Sequence, residues 1–351
     1  MKTIDLRSDT ITLPTDEMRR AMYEAEVGDD VHQEDPTVNC LEELAAEVTG
    51  KEAALFTASG TMSNLLGVLA STRPGDEIIV GSEAHILWYE VGGASTLGGV
   101  VLRTVSNDED GRLAPADVEK VIRGENIHFP KSTLLCLENT HNRCGGAVLT
   151  REYTEEISAF AHRHGLLVHL DGARIFNAAV ALNVSARELV AAVDTVGFCL
   201  SKGLSAPVGS LFCGTRETVE KARKWRKMLG GGMRQAGIIA AAGIVAIEKM
   251  VDRLAEDHAN AKRLAEGLAQ IPGFSVNPGK VSTNIVNFEF PANISDFVTR
   301  IGERGVKFLF RGGRSVRAVT NRMVSAGDID EVLERINRLV KETGQGHQPH
   351  Q

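Results

Sequence analysis

The sequence predicts an α/β protein: a mostly parallel sheet with helices on both faces, followed by a smaller C-terminal α+β domain. Two patterns carry that reading. Short, nearly unbroken apolar runs, "AALF" (53–56), "EIIV" (77–80), "LLCL" (134–137), "LLVHL" (166–170), "VGFCL" (196–200) and "SLFC" (210–213), have the length and purity of strands buried on both faces. Amphipathic helical stretches alternate with them, as crossover connections between parallel strands require.

The helices explain themselves in order. In "DPTVNCLEELAAEVTG", Asp35 is the N-cap, Pro36 opens the first turn and Gly50 stops the helix. Val38, Leu41, Leu44, Ala45 and Val48 form its apolar stripe. "EYTEEISAFAHRHG" repeats the design with Tyr153, Ile157, Phe160 and Ala161, and "SAREL" offers a capping box of Ser185 and Glu188. Near residue 250 the character changes. A long polar helix, "DRLAEDHANAKRLAEGLAQ", leads to "GFSVN", "NIVNFEF", "VKFLF" and "SVRAVT", then to the amphipathic "DIDEVLERINRLVKE". The expected division is a large domain over 1–249, a small one over 250–343, and a disordered tail over 344–351 whose "GQGHQPHQ" offers nothing to pack.

A hydrophobic content of 43% and a charged content of 24% are those of a globular protein. The net charge of −7 argues against a nucleic-acid or membrane-surface binder, so neither partner is expected. "MKTIDLRSDT" puts charges where a secretion signal needs an apolar segment, and the apolar run from Ala236 to Ile247 is too short to span a bilayer. Cysteines at 40, 136, 144, 199 and 213 are odd in number and form no CxxC pair, which reads as reduced thiols in a cytoplasmic protein. His162, His164 and His169 straddle a helix end and a strand and share no ligand face, so no metal is expected.

In an open parallel sheet, ligands bind beyond the carboxyl ends of the strands. The residues that follow the apolar runs are Ser59-Gly60-Thr61, Glu83 and His85, Glu138-Asn139, Asp171 and Arg174, and Ser201-Lys202. "TASGTMSN" reads either as a capped turn or as an anion cradle of free N–H groups at a helix N-terminus. Asp171 either caps the next helix or pairs with a cation, for which Arg174 and a protonated cofactor ring nitrogen are the candidates. Lys202 is the hardest to explain as structure, because Gly203, Ser205, Ala206, Gly209 and Ser210 clear bulk from around it. A lysine partly desolvated in a crevice becomes a nucleophilic amine suited to a Schiff base with an aldehyde. A helix N-terminus for phosphate, a carboxylate for a pyridinium and a lysine for an aldehyde are together what pyridoxal 5'-phosphate requires, and His85 is placed to cover the ring.

With those residues located, the chain resembles the pyridoxal-phosphate enzymes of the aspartate-aminotransferase fold, and specifically the low-specificity L-threonine aldolases. The resemblance runs from residue 4 to about 340, through "IDLRSDT", "GDDVHQEDPTVN", "AHILWYEVGG", "ENTHN", "HLDGARIFNAAV", "CLSKGL", "APVGS" and "WRKMLGGGMRQAG". It implies that Lys202 holds the cofactor as a Schiff base, Asp171 pairs with its ring nitrogen, His85 stacks on the ring, and Ser59, Gly60 and Thr61 hold its phosphate. It implies that Arg174 and Arg317 bind the substrate carboxylate with Ser8 nearby, and that His128 approaches the β-hydroxyl. Arg234 would reach the phosphate of a neighbouring subunit, giving a homo-oligomer, a tetramer built as a dimer of dimers with the active site at the dimer interface. Two stretches depart from the family pattern: "DDVHQ" has His32 where tyrosine is usual, and "NRCGGAVL" makes a longer turn around Cys144.

The implied reaction is retro-aldol cleavage of a β-hydroxy-α-amino acid, L-threonine or L-allo-threonine, to glycine and an aldehyde. His85, His128 and a water near the cofactor phosphate are the candidate bases. β-Elimination and transamination are the alternatives on the same fold. A serine hydrolase or a nucleotide binder fits poorly, because the chain has no GxSxG, GxGxxG or GxxxxGK[ST]. The basic cluster "KARKWRKM" reads as a solvated face at Lys221, Arg223 and Lys224, and Glu90 as either structural or interfacial.

Overall fold

A computed structural model describes residues 2–294 and 296–345. The chain opens with a two-residue strand, β1 (Ile4–Asp5), and then builds a seven-stranded sheet. Its strands are β2 (Ala53–Thr57), β3 (Glu77–Gly81), β4 (Val101–Val105), β5 (Ser132–Glu138), β6 (Leu167–Asp171), β7 (Thr195–Cys199) and β8 (Ser210–Gly214), in the order β2-β8-β7-β6-β5-β3-β4. β7, β6, β5, β3 and β4 pair in parallel, while β8 runs antiparallel to both of its neighbours. The apolar runs all lie within or against these strands. β4 was not among them, because it is a half-exposed edge strand whose Arg103 and Thr104 break the apolar signature.

Burial on both faces explains why those runs do not alternate with polar residues. On β2 and β8, Leu55 and Phe212 pack with Leu66 of helix α3 (Gly60–Ser71), whereas Phe56, Leu211 and Cys213 face the larger core on the other side. That larger core is covered by α2 (Pro36–Thr49), which Asp35 caps at the backbone N–H groups of Thr37 and Val38. Before it lies α1 (Asp16–Glu24), capped by Thr15.

A second core gathers around β9 (Ile285–Glu289), β10 (Val306–Lys307), β11 (Leu309–Gly312) and β12 (Ser315–Val319), the last three-stranded group being β11-β12-β9, antiparallel throughout. "GFSVN" contributes only a single bridge, Ser275 with Glu289. Ile4 and Leu6 belong to this second core, because β1 pairs in parallel with β10. Residues 4–6 therefore pack in the second core, with residues between 261 and 339. The last helix, Ala326–Gln345, continues past residue 343, and residues 346–351, where a tail was expected, lie outside the described residues.

The basic helix Arg216–Met228 departs from the solvated reading at one position. Lys221 and Lys224 are exposed, but Arg223 pairs with Glu42 at 3.0 Å. Arg226, just beyond, is buried with Asp30 at 2.8 Å and the Phe56 carbonyl at 2.7 Å. Among the described residues no helix is long and apolar enough to cross a membrane.

The placement of the N-terminus is testable. The Leu6 N–H donates to the Lys307 carbonyl and its own carbonyl accepts from Val319 N–H, both at 2.8 Å, with the side chain fully buried. Leu6→Ala is expected to lower unfolding free energy by about 3 kcal/mol in a denaturant titration, the cost of a core cavity. Unchanged stability would contradict the placement.

Candidate active site

The carboxyl ends of the parallel strands bring most of the expected residues together. Ser59 is the N-cap of α3 and accepts from Met62 N–H at 3.2 Å, which leaves the first N–H groups of the helix, at Gly60 and Thr61, aimed outward. A Cβ at Gly60 would stand 2.7 Å from Cys199 Sγ, so a larger residue could not let α3 start this close to the end of β7. Beside Gly60, the Ser210 Oγ is buried with no partner among the described residues. Two free N–H groups at a helix start and an orphaned hydroxyl fit the phosphate of pyridoxal phosphate.

Lys202 follows β7. Its carbonyl accepts from Thr12 Oγ1 and from Ser205 N–H, both at 2.9 Å, so the backbone below the side chain is fixed. Ser205 adopts a left-handed φ of +65°, unusual for a non-glycine residue, and turns the chain sharply after the lysine. Gly203 to Ala206 are buried while Lys202 itself is only half-buried, which is the cleared slot that the small residues imply.

Asp171 ends β6, next to β7, and is buried. Its carboxylate accepts from Ala173 N–H at 3.0 Å and from Asn64 Nδ2 at 2.8 Å. Burial pushes its pKa up, but the positive fields of His85 and Lys202 and these two hydrogen bonds hold it below the ordinary carboxylate value. Arg174 is not its partner. The Arg174 guanidinium instead grips Asp9 in a buried bidentate pair, Nε and Nη2 each at 2.7 Å. A carboxylate that stays ionised at the end of β6 fits a pyridinium nitrogen.

His85 begins a short helix after β3. Its backbone N–H donates to Glu138 at 2.7 Å and its Nδ1 pairs with Glu90 at 2.8 Å. Burial disfavours charge on the ring, yet the Glu90 hydrogen bond and the nearby carboxylates Asp171 and Glu138 raise its pKa. Glu90 thus acts as the carrier of His85. His85, Glu90 and Asp171 offer ligand atoms within 4.8 Å of one another, but Asn64 and the His85–Glu90 bond already occupy their facing atoms.

Arg174 and Arg317, expected to bind the substrate carboxylate, differ in what they hold. Arg317, on β12, donates to Asn142 Oδ1 at 2.6 Å and to the Arg7 carbonyl at 3.3 Å, one residue from Ser8. Its Nε is buried without a partner, and burial together with the charge of Arg174 lowers its pKa to about 10. Arg174 holds Asp9, whereas Arg317 makes no ion pair among the described residues, and its unmatched positive charge invites a carboxylate. Ser8 is otherwise occupied, accepting from the Thr10 N–H and hydroxyl.

Two expected residues are not brought to the site. His128 sits exposed in the loop before β5, at the amino ends of the strands, where Arg123 ties the same loop to Glu77 at 3.1 Å. Parallel strands put the site at the opposite edge, so His128 and Lys202 do not meet within one chain. Arg234 is exposed and paired with Asp29 at 2.7 Å, beside the exposed His32. The Cys144 thiol is pushed up to about 12 by burial and the neighbouring carboxylates Glu138, Glu83 and Asp108, which disfavours its thiolate. Asp9, Asn64 and Asn142 went unread in the sequence. The available signal for Asp9 was a carboxylate in "LRSDT" with no local partner, whereas Asn64 and Asn142 carry no such mark.

The beta-eliminating lyase family model matches residues 5–291. Low-specificity L-threonine aldolase 1 of Arabidopsis thaliana is 47% identical over 341 residues, 95% of each chain. The chain belongs to the low-specificity L-threonine aldolase family. Its likeness to the bacterial member of this family from Escherichia coli (strain K12) is 49% over 267 residues, 76% of this chain and 79% of that one. The fold matches a threonine aldolase structure from Leishmania major with a TM-score of 0.81, at 21% identity, covering 96% of this chain and 99% of that one.

The Asp9–Arg174 pair has a defined pH signature. Burial opposes the Asp9 charge, but Arg174, Lys202 and Asn284 bring its pKa down from 3.8 to about 2. A depressed carboxyl contributes stability above its unfolded value and loses it as pH falls through the folded value. Asp9→Asn is therefore expected to unfold about 3 kcal/mol more easily at neutral pH, with the gap to the parent narrowing as pH drops from about 4 toward 2. Chemical denaturation across that range checks it, and a gap independent of pH would contradict it.

Proposed function

We propose that this chain cleaves the Cα–Cβ bond of β-hydroxy-α-amino acids, L-threonine and L-allo-threonine among them, to glycine and an aldehyde, with pyridoxal phosphate bound covalently to Lys202. The observation that carries the site is a pair of charges at neighbouring strand ends: the buried carboxylate of Asp171 on β6 and the amine of Lys202 after β7. Kinship with threonine aldolases selects this reaction over β-elimination and transamination.

When bound, the cofactor supplies an electron sink next to the substrate Cα. Ser59, Gly60 and Thr61 hold its phosphate, and Asp171 keeps its ring nitrogen protonated. Arg174 and Arg317, with Ser8 beside them, take the substrate carboxylate by charge-assisted hydrogen bonds and so fix which Cα bond faces the sink. His85 would lie over one face of the ring, whose nitrogen edge Asp171 would meet. Its Nδ1 is spent on Glu90, which leaves Nε2 to accept the β-hydroxyl proton. A contribution from His128 requires a second copy of the chain, as does that of Arg234.

An oligomer with the site at a dimer interface is supported by apolar surface beside the cradle. Val91 is 98% exposed and Leu97 about half exposed, lining a groove of about 400 Å³ that reaches Thr61, and Trp88 and Tyr89 next in the chain are about half exposed. The tetramer is read from the family alone. The five cysteines are free, in keeping with a cytoplasmic location. A division near residue 250 is supported by two separate cores, with residues 4–6 joining the second and Met250 and Leu254 still in the first.

The test is product identity. Protein supplied with pyridoxal phosphate is expected to release acetaldehyde and glycine in equal amounts from both threonine isomers, and Lys202→Ala to release neither. Ammonia and a keto acid in their place would overturn the aldolase assignment.

A further inference from the structure

Asn64 stands at the centre of the most completely determined hydrogen-bond network in the pocket, and neither its sequence nor its kinship assigns it a role. It lies one turn into α3 with 3% of its surface exposed. Its Nδ2 donates at once to Glu90 Oε1 at 2.7 Å and to Asp171 Oδ2 at 2.8 Å. Both acceptors are carboxylates, so the amide orientation is fixed and Oδ1 must face the other way. There it meets His169 Nε2 at 3.2 Å, which must then carry the proton, while His169 Nδ1 accepts from Thr195 Oγ1 at 2.9 Å.

The surroundings protect this arrangement. His169 is fully buried, and burial lowers its pKa to about 4, so it remains the neutral tautomer that the network needs. Gly67, one helical turn after Asn64, lets the helix approach: a Cβ there would stand 2.4 Å from His169 Cε1. A mid-helix glycine costs helix stability, about 1 kcal/mol relative to alanine, and here the close contact accounts for it.

We propose that Asn64 is a positioning residue whose two N–H groups keep Asp171 and Glu90 as separate carboxylates, and so hold in register the carboxylate that would meet the cofactor's ring nitrogen and, through Glu90, the His85 imidazole that would lie over the ring. The proposal rests on the cofactor assignment made above. Two buried carboxylates this close repel, and without a shared donor they are expected to share a proton. Glu90 already tends that way, since burial and the charge of Asp171 push its pKa up despite its bonds to His85 and Asn64. The charged and titratable groups facing the pair are His85, Glu138, Lys202, the neutral His169 and the Cys136 thiol, which burial and both carboxylates keep protonated. A proton on Asp171 would remove the anion that the ring nitrogen needs.

The experiment uses the full chain loaded with pyridoxal phosphate and reads the cofactor, not turnover. In Asn64→Ala and the isosteric Asn64→Asp, cofactor affinity is expected to fall roughly 10- to 100-fold. The pH at which the bound cofactor's visible band changes form is expected to rise by about one unit, because a ring that loses its proton no longer disfavours a positive charge conjugated to it. The double variant Asn64→Ala/Glu90→Gln leaves Asp171 no neighbouring carboxyl to share a proton with and is expected to recover most of the shift in the band's pH. A merely structural role would move neither the band's pH nor the rescue. Unchanged spectra and affinity in folded single variants would overturn the proposal and leave the cofactor assignment standing. A parent protein that binds no cofactor covalently would overturn both.

Discussion

A carboxylate at the buried end of β6 must remain ionised, and the rest of the pocket is arranged around that requirement. Desolvation alone would protonate Asp171. The Ala173 N–H, the Asn64 amide and the positive fields of His85 and Lys202 reverse that tendency. Each of these groups sits at a different place in the chain, and only the parallel sheet with adjoining β6 and β7 brings them together. Glu90 adds a second buried acid, which raises the basicity of His85 and must itself be kept apart from Asp171.

A second charge balance governs the substrate side. Asp9 ties Arg174 of the large sheet to Asn284 beside β9, and Arg317 on β12 reaches back to Asn142 and the Arg7 carbonyl. The two cores are thus stitched together at the point where the carboxylate of an amino acid would arrive. Arg317 makes no ion pair among the described residues, and its Nε is buried without a partner. Binding a carboxylate there would both satisfy the arginine and strengthen the contact between the cores.

What was legible in the sequence follows from the physics of each signal. Strands buried on both faces leave continuous apolar runs, so β2, β3 and β5 to β8 could be read directly, whereas β4, at the edge, could not. Residues just beyond those runs have to lie at the strand ends, which is why Lys202, Asp171, His85 and the Ser59–Thr61 turn were legible. Residues whose role depends on a tertiary neighbour were not: Asn64 looks like any helical polar residue, and Asp9 like a capping residue. The place of His128 in the fold was not legible for the same reason. Its motif gives the residue type, but only the direction of β5 shows that the loop lies at the far edge of the sheet. The pairing of β1 with β10 is likewise a long-range contact with no local mark.

The most direct test of this account is the protonation state of the cofactor's ring nitrogen, read from the chemical shift of ¹⁵N-labelled pyridoxal phosphate bound to the protein. The structure calls for a protonated nitrogen throughout the neutral range, lost when Asp171 is replaced by alanine. A neutral nitrogen in the parent protein, or a protonated one that persists without Asp171, would contradict the claim that this buried carboxylate organises the site.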